Sequence, residues 1–369
     1  MSVSINGTNG LTFNDASSQN TAATGFGFKN RIINGAMVID QRNAGASVTP
    51  TANAYTLDRW RYVVSQASKM SLQQNAGSVA LPIGFTKYLG ATSLSSYAVL
   101  TSDFFFQQQS IEGFNVADLG WGTASAQTIT LSFRVYSSLT GTFGGSLQNG
   151  AFNRSYPFTY SIPVANTWTT ISLTITGDTS GTWATDNTAG LKIHFGMGAG
   201  ATYSGTAGAW ASAEYYSATG AVSVVGTSGA TFYITGVQLE KGSTATSFDC
   251  RPYGTELALC QRYCFNLTST LAYYRFESMP NSAITTRSYI GVTLPIPMRQ
   301  IPSLTWSCPF GDYISGATGT SAIIITDGNS NSHATIELTF ATGTTTAYSA
   351  SAIRVNNTTS WYARFESEL

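Results

Sequence analysis

Aromatic and polar side chains suited to binding a sugar are concentrated in one stretch of the sequence: Tyr203, Trp210, Glu214, Tyr215 and Tyr216. Aromatic rings stack on the apolar face of a sugar, while carboxylate, amide and guanidinium groups bind its hydroxyls. The stretch is rich in Gly, Ala and Ser, which predicts a loop. Asn187 and Arg154 are further polar candidates. The alternative is that these aromatic rings pack the ends of a β-sandwich or a subunit interface.

Hydrolysis of a polysaccharide is a second chemistry to consider, and it requires two carboxylates about 5–10 Å apart. The candidate acidic residues share no spacing that would pair them: Asp58, Asp103, Glu112, Glu214 and Asp249. Asp58 precedes Arg59 and Trp60. This arrangement favours a structural ion pair or cap with Arg59 or another arginine. No catalytic residue is assigned, and we expect the protein not to be an enzyme.

Neither a cofactor nor a metal ion is expected. His194 and His333 are the only histidines, and the alternation around each predicts that both point outward. Neither has the clustered partners that a metal site or a nucleophilic triad needs. The glycines of 196–200 superficially match a dinucleotide-binding turn, but that turn must open a helix. Residues 202–208 are typical of a loop instead, so the match is rejected.

The cysteines follow no zinc-binding spacing, and they are Cys250, Cys260, Cys264 and Cys308. Cysteine is among the most often buried residue types. We therefore predict buried free thiols. A disulfide between Cys250 or Cys308 and one of the other two stays an open alternative.

Composition and charge exclude several classes of protein. The net charge is 0, with 18 basic and 18 acidic residues. Because nucleic-acid binding rests on neutralising phosphates, it is not expected here. No apolar stretch approaches the ~20 residues of a membrane-spanning helix, and the N-terminus lacks the features of a signal peptide. We expect synthesis in a cytoplasm and no membrane insertion.

Much of the chain alternates apolar and polar residues, which is the period of a β-strand with one buried face. The clearest stretches are 127–136, 168–176, 191–195, 335–340 and 361–366. Such alternation is typical of antiparallel sheets packed on one side. Within 231–239 the pattern changes phase at Gly236. This predicts a β-bulge that returns the apolar residues on both sides to the core: Phe232, Ile234, Val237 and Leu239.

The chain is therefore expected to be all-β, with an N-terminal extended arm over 1–24 and a large β-sandwich over 25–253. The arm is polar, and the side chains expected to anchor it are Ile5, Leu11 and Phe13. A smaller C-terminal β-sandwich is expected over 266–369. Within it, the prolines of 294–304 indicate an edge strand or an extended loop.

A short connecting helix is predicted over 254–265, between the two sandwiches. Thr255 is placed to cap it, and Glu256 suits the positive N-terminal end of the helix dipole. Leu257, Cys260 and Cys264 would lie on one face, because they follow the spacing of helical turns.

Short motifs at the two ends of the large sandwich resemble a known family. The opening motifs are Asn-Arg-Ile-Ile-Asn-Gly at 30–35, Ile-Asp-Gln-Arg at 39–42 and Asp-Arg-Trp at 58–60. The closing motif is Val-Gln-Leu-Glu at 237–240, followed by Gly-Ser at 242–243. Together they resemble the galactose-binding-like jelly roll, similar to carbohydrate-binding modules, of fibre and receptor-binding proteins of tailed bacteriophages. The leader at 5–13 and the segments 260–263 and 294–299 are also similar to such fibre proteins.

The resemblance implies a homo-oligomeric virion component, with a trimer as the expected form. The arm would bind other virion proteins, and the sandwiches would adhere to a glycan of the host surface. The sequence leaves tail, collar and capsid positions open. One alternative is a head-fibre, collar or decoration protein that binds no host molecule. A tail-associated glycan depolymerase is the least favoured alternative.

Overall fold

The computed structural model describes residues 28–269, 287–307, 331–342 and 361–369, together with the short strand segments 4–6, 10–12, 18–19, 275–276, 310–312, 318–325 and 353–355. Near the N-terminus, β1 (Ser4–Asn6), β2 (Gly10–Thr12) and β3 (Ser18–Gln19) form a small antiparallel sheet. The side chains expected to anchor the arm, those of Ile5, Leu11 and Phe13, lie outside the described part of the chain. Their role therefore stays a prediction.

The large sandwich is built from strands that follow one another between residues 54 and 241. They are β4 (Ala54–Leu57), β5 (Trp60–Val64), β6 (Met70–Gln74), β7 (Leu89–Ser93), β8 (Phe104–Glu112), β9 (Ile129–Ser137), β10 (Gly141–Asn149), β11 (Ser155–Ile162), β12 (Thr169–Ile175), β13 (Ala189–Ala199), β14 (Ser204–Gly205), β15 (Ser217–Ala218) and β16 (Thr231–Lys241). Single turns of 3-10 helix lie at Ala76–Ser78, Gly113–Asn115, Ala117–Leu119 and Ala201–Tyr203.

Two antiparallel sheets face each other in this sandwich. One has six strands in the order β11-β10-β13-β8-β5-β4, and the other has five in the order β12-β9-β16-β7-β6. Their facing side chains form one apolar core. Phe133 of the five-stranded sheet meets Phe195 of the six-stranded sheet edge to face, with ring centroids 5.1 Å apart. Burying a side chain of this kind contributes about 1.5–3 kcal/mol, and the all-β sandwich expected from the sequence is confirmed.

The predicted bulge at Gly236 is also confirmed. The pairing of β16 with β9 shifts register between Thr235 and Gln238, and Gly236 has a φ of +61°. Because the extra residue reverses the alternation, apolar side chains on both sides of the bulge enter the same core: Phe232, Ile234, Val237 and Leu239.

The prediction that the polar residues of β13 point into solvent is wrong. His194 was expected to point into solvent, yet it is fully buried, and Lys192 is only 6% exposed. The reason is that the chain between β13 and β16 folds back over the outer face of the six-stranded sheet. Tyr216 from this segment lies 4.5 Å from the ring of Phe106 and 5.3 Å from that of His194.

The asparagines of the opening motif hold the edge of the sandwich together. The Asn30 side-chain amide donates to the Val237 carbonyl (3.0 Å), and its oxygen accepts from the Leu239 amide (3.0 Å). Asn34 donates from its side chain to the carbonyls of Ile39 (2.8 Å) and Asp58 (3.0 Å). The opening and closing motifs are thus bonded to each other, although the opening motif is irregular and the first strand of the sandwich is β4.

The helix α1 spans Tyr253–Gln261, and two details differ from the prediction. Pro252 occupies the N-cap, and Thr255 makes no capping hydrogen bond because it already lies within the first turn. Cys264 does not share the helix face, since the helix ends before it and Cys264 begins the next strand. Glu256 is buried and accepts a hydrogen bond from the Asn34 amide. No helix in the described part of the chain is long and apolar enough to cross a membrane.

The cysteines are free thiols where the structure describes them, but they are not all buried. Cys260 and Cys264 are buried, whereas Cys250 is exposed. Cys250 lies in the irregular segment between β16 and α1. Cys308 lies outside the described residues.

A second, smaller sandwich follows the helix. Its strands are β17 (Cys264–Ser269), β18 (Arg275–Phe276), β19 (Arg287–Thr293), β20 (Ser303–Trp306), β21 (Phe310–Asp312), β22 (Thr318–Ile325), β23 (His333–Thr342), β24 (Ile353–Val355) and β25 (Trp361–Glu366). They form a three-stranded sheet, β17-β25-β20, and a six-stranded sheet, β18-β24-β21-β22-β23-β19. Ile336 and Leu338 from one sheet and Phe365 from the other share a core. The proline-rich stretch 294–302 is irregular, as expected.

Buried ion pairs join the end of the chain to the large sandwich. Arg42 donates to Glu366 and, at 2.8 Å, to Glu368. Arg59 also donates to Glu368, and its guanidinium lies 3.5 Å above the Tyr263 ring. The expected ion pair of Asp58 with Arg59 or another arginine is not found among the described residues. The Asp58 carboxylate instead accepts two hydrogen bonds from Gln41, at 2.7 Å each.

Candidate functional site

Polar side chains lie side by side on the outer face of the six-stranded sheet, where the pairing of β10, β13, β8 and β5 aligns them. In one row, Lys192 is opposite both Gln148 and Ser110. In the next row, Gln108 is opposite both His194 and Arg61. We call this group the polar face, and its members are Arg61, Gln108, Ser110, Gln148, Lys192 and His194. The strands are fixed by their core-facing residues, so these side chains are held on a rigid surface.

Lys192 is the central cation of the polar face. Its Nζ lies 3.1 Å from the centroid of the Phe152 ring and donates to the Gly150 carbonyl at 3.4 Å. The pKa of Lys192 is lowered to about 8, mainly by burial and further by the charge of Arg61, while Glu214 opposes the change. An ammonium over an aromatic ring gains a cation–π attraction, but this ammonium has given up most of its water.

Phe152 covers the lysine from the turn between β10 and β11. It is 41% exposed and has a φ of +61°, a conformation uncommon for a residue other than glycine. A half-exposed aromatic ring beside charged and amide groups is the combination that can stack on one sugar ring and bind its hydroxyls.

Two polar side chains of the face are fully buried and make no hydrogen bond with any described residue. They are the amide of Gln148 and the imidazole of His194. Burial and the charge of Lys192 hold the pKa of His194 well below its usual range, so the ring is neutral. Leaving a buried donor or acceptor unbonded costs about 1–3 kcal/mol. Groups of this kind are rare in native proteins and call for an explanation.

The predicted sugar-binding residues fall into two groups. Glu214 and Tyr216 reach the polar face, where Tyr216 donates a hydrogen bond to the Glu214 carboxylate. Tyr203 packs behind them, with its ring stacked on Tyr216 at 5.1 Å. Tyr215 lies over Gly205, where a Cβ would approach its ring to 2.3 Å. The segment is mostly irregular, as expected, with only the short strands β14 and β15 in it.

Trp210 lies away from this face and has a packing role. Its indole meets those of Trp121 (5.2 Å) and Trp183 (5.4 Å) edge to face, and its Nε1 donates to the Thr176 carbonyl at 2.8 Å. Arg154 forms an ion pair with Asp178 at 2.6 Å. Trp210 therefore follows the alternative given above, in which the aromatic ring packs an end of the sandwich.

Asn187, the other polar candidate, also lies elsewhere. Its side chain donates to the Arg299 carbonyl at 3.3 Å, and its own carbonyl accepts from the Arg299 guanidinium at 3.2 Å. These contacts tie the large sandwich to the C-terminal part of the chain.

The candidate carboxylates for hydrolysis are each engaged by different partners. Glu112 accepts from Arg262 (2.7 and 2.8 Å) and from Tyr263. Asp103 accepts from the hydroxyls of Ser65 and Tyr97, at 2.8 Å each. The others bond to Gln41 (Asp58), Tyr216 (Glu214) and the amides of Lys29 and Asn30 (Asp249). Thus no two of them share a hydrogen-bond partner.

Sequence reasoning missed the members of the polar face on the strands. A lysine at an outward position of an alternating strand is ordinarily a solvated residue, and the sequence gives no sign that Lys192 is covered. Phe152 could not be predicted either, because it follows a strand whose register with its neighbours the sequence does not define. Only the run of glutamines at 107–109, unusual in a strand, could have drawn notice to this sheet.

No known protein family profile and no curated protein matches the chain. Among solved structures, it is similar to the enzymatically active domain of bacteriophage CBA120 tailspike protein 4, with 12% identity and a TM-score of 0.33 over 58% of this chain. The chain spans 21% of the length of that domain.

Two further similar structures are sugar-binding proteins by their descriptions. A CBM4 structure has 15% identity and a TM-score of 0.27, over 57% of this chain and 98% of that one. A putative sugar-binding protein from Bacteroides thetaiotaomicron has 12% identity and a TM-score of 0.30, over 58% and 100%. At these TM-scores the fold assignment rests on the sheets and the shared core described above.

Proposed function

We propose that the protein is a glycan-binding adhesion protein and that the polar face of the six-stranded sheet is its binding surface. The observation that carries the proposal is the half-exposed Phe152 ring beside Lys192, with Arg61 and Glu214 close enough to change the pKa of that lysine. A sugar offers hydroxyls that both donate and accept, together with an apolar ring face. Cations, a carboxylate, amides and one aromatic ring complement these features.

The buried, unbonded groups beneath the polar face indicate that this part of the sheet is not optimised for stability alone. Gln148 and His194 carry donors and acceptors that no described residue uses. A fold selected for stability alone would replace them by apolar side chains, since satisfied or apolar alternatives cost less. Functional sites are where such costs are retained.

The wider role we propose is that of an appendage of a tailed bacteriophage. The support is the resemblance of the motifs at 30–42, 58–60 and 237–243 to fibre and receptor-binding proteins, with an N-terminal arm and homo-oligomers as the resemblance implies. Weak single sites repeated on one particle give high avidity. A head-fibre, collar or decoration role without host binding is the second candidate. It is favoured by the structural use of the motif residues Asn30 and Asn34.

We propose binding without hydrolysis. Its support is that each candidate carboxylate accepts hydrogen bonds from its own set of structural partners, so no pair stands free to act together. Release of reducing sugars from host capsule or lipopolysaccharide by the purified protein would refute this part of the proposal.

A glycan array followed by calorimetry tests the binding surface. We expect the wild-type chain to bind at least one glycan, and Phe152→Ala and Glu214→Gln to lower that affinity at least tenfold, about 1.4 kcal/mol. Phe114→Ala removes another exposed ring, 61% exposed, that lies outside the polar face, and it should leave the affinity unchanged. Equal binding by all four proteins, or no binding by the wild type, would refute the assignment.

The appendage role is tested separately in assembled particles. Deletion of residues 1–24 should leave a soluble, folded chain that no longer joins the particle. Normal incorporation of the truncated chain would contradict the anchoring role, and a particle image would distinguish tail, collar and capsid positions.

A further inference from the structure

A second cleft lies on the outer face of the five-stranded sheet, on the opposite side of the sandwich from the polar face. Its volume is about 160 Å³. The floor is formed by neighbouring strands: Thr170 of β12 lies opposite Arg134 of β9, and Ser172 lies opposite Ser132. The floor therefore presents hydroxyl groups around one guanidinium.

Two aromatic rings form one wall of the cleft. Phe85 and Phe248 meet edge to face, with centroids 5.1 Å apart. Phe85 lies directly over the bulge, where a Cβ on Gly236 would approach its ring to 2.6 Å. The bulge that keeps β16 in register with the core thus also makes room for an aromatic wall.

The remaining wall is the chain that turns back after β16, and the closing motif holds it in place. The Glu240 carboxylate accepts from the Thr246 amide and from its hydroxyl, at 2.8 Å each. The Gln238 side chain accepts from the Asp249 amide at 2.8 Å. Because both contacts come from a central strand, this wall is fixed before any ligand arrives.

Among the described residues, Arg134 is the only charged one that lines the cleft. Its side chain makes no ion pair or hydrogen bond with any residue that the structure describes. The Glu240 carboxylate, on the neighbouring strand β16, is engaged by Thr246. A half-buried, unpaired guanidinium among hydroxyls favours an anion, and guanidinium binds carboxylates in a bidentate geometry.

We propose that this cleft is a second carbohydrate site, which takes an anionic sugar such as a uronic acid residue. Arg134 would bind the sugar carboxylate, and the hydroxyls of Ser132, Thr170 and Ser172 would bind its hydroxyl groups. Phe85 would pack on the apolar face of its ring. The ligand class follows from the residues of this cleft alone. The second site can therefore be tested independently of the polar face.

The size of the cleft limits what it holds. Pockets for drug-sized ligands are about 300–1,000 Å³, so this one takes one or two units of a longer chain. Along β9, the next residue on the same face is Tyr136, which stacks on Tyr233 with ring planes 7° apart. An extended acidic glycan leaving the cleft along β9 would therefore meet a further aromatic surface.

Calorimetry with tetragalacturonate and the neutral cellotetraose tests the proposal on the full chain. We expect tetragalacturonate to bind, more weakly at higher salt, and Arg134→Ala to lower its affinity at least tenfold. Phe85→Ala should give a similar loss. Lys29→Ala removes one exposed positive charge outside the cleft and should leave the affinity unchanged. Circular dichroism melting confirms that each variant is folded.

Variants of the two faces separate the two sites. Phe152→Ala should leave tetragalacturonate binding intact, and Arg134→Ala should leave intact the binding of any glycan that Phe152→Ala weakens. Unchanged tetragalacturonate affinity in Arg134→Ala would overturn the second site, as would equal binding of the neutral tetramer. Failure of the wild type to bind tetragalacturonate and the tetrasaccharides of alginate and hyaluronan would also overturn it.

Discussion

Replacing Lys192 by Met should make the protein more stable while removing a binding group. Lys192 is only 6% exposed, and its ammonium has no carboxylate within ion-pair distance among the described residues. Methionine has a similar unbranched stem and fills the space under Phe152 without a charge. A buried charge of this kind reduces stability, because folding strips its water.

The lowered pKa sets the size of the effect. Its fall from 10.5 to about 8 corresponds to roughly 3 kcal/mol, at about 1.4 kcal/mol for each pH unit. Relaxation of the surrounding polar groups reduces this penalty, and we expect Lys192→Met to gain about 2 kcal/mol at pH 7.

The stability gained by Lys192→Met should depend on pH between about pH 8 and pH 10.5. The unfolded chain keeps the lysine proton up to about pH 10.5, whereas the folded protein releases it near pH 8. Between these values the unfolded state binds more protons, so the stability of the wild type rises with pH. The stability cost of burying the Lys192 charge is therefore full below pH 8 and disappears towards pH 10.5. Buried tyrosines such as Tyr160, whose pKa burial raises, affect wild type and variant alike.

Urea unfolding followed by tryptophan fluorescence, at pH 7, 8, 9 and 10, measures the difference. Lys241→Met is the matched control, because the Lys241 side chain is 42% exposed, and its effect should stay within about 0.5 kcal/mol. A destabilised Lys192→Met protein, or a gain that is the same at pH 7 and pH 10, would refute the reasoning. Weaker glycan binding by the more stable variant would connect the stability cost to function.

Three further predictions concern the frame that carries these sites. Gly236→Ala should cost about 2–4 kcal/mol in urea unfolding, because φ is +61° and the new Cβ would meet Phe85; a change below 0.5 kcal/mol would contradict the bulge geometry. Glu368→Gln should cost about 3–5 kcal/mol, since it leaves the guanidinium of Arg59 buried without its carboxylate; an unchanged melting temperature would exclude this ion pair. In a Cys308→Ser background, a thiol reagent should modify Cys250 in the native protein and the buried thiols only after unfolding; immediate modification of all three would contradict their burial.

Local patterns were sufficient to predict the sheets. Burial of one face of a strand requires a period of two, so Ile129, Leu131 and Phe133 could be assigned to the core without knowing their partners. The phase change at Gly236 predicted a bulge for the same reason. The core positions and the bulge depend only on residues close together in the sequence, so the alternation by itself predicts them.

The helix was predicted with less accuracy at its ends. Its existence follows from composition, but its last residue depends on where Cys264 pairs with Glu366 at the other end of the chain. A capping role for Thr255 failed because Pro252 already sets the first turn. The domain boundaries at 24, 253 and 265 stay predictions.

The candidate sites needed the tertiary structure. Glu214 and Tyr216 could be proposed from sequence because aromatic and acidic residues in a loop are a local signal. Their partners Lys192 and Phe152 were not, since burial of an outward-facing residue depends on which distant segment covers it. The same applies to Arg134, whose pairing with Thr170 and lack of a carboxylate partner are properties of the assembled sheet.

The sequence by itself determined an all-β chain, the residues of its main core and the bulge in its closing strand, because those follow from hydrophobic alternation along a strand. Only the tertiary structure decided that the irregular opening motif bonds to the last strand of the sandwich, that a returning segment buries His194, and that two faces of one sandwich present different polar groups. The physical reason is that a strand fixes which way a side chain points, whereas what that side chain meets is fixed by segments far away in the chain.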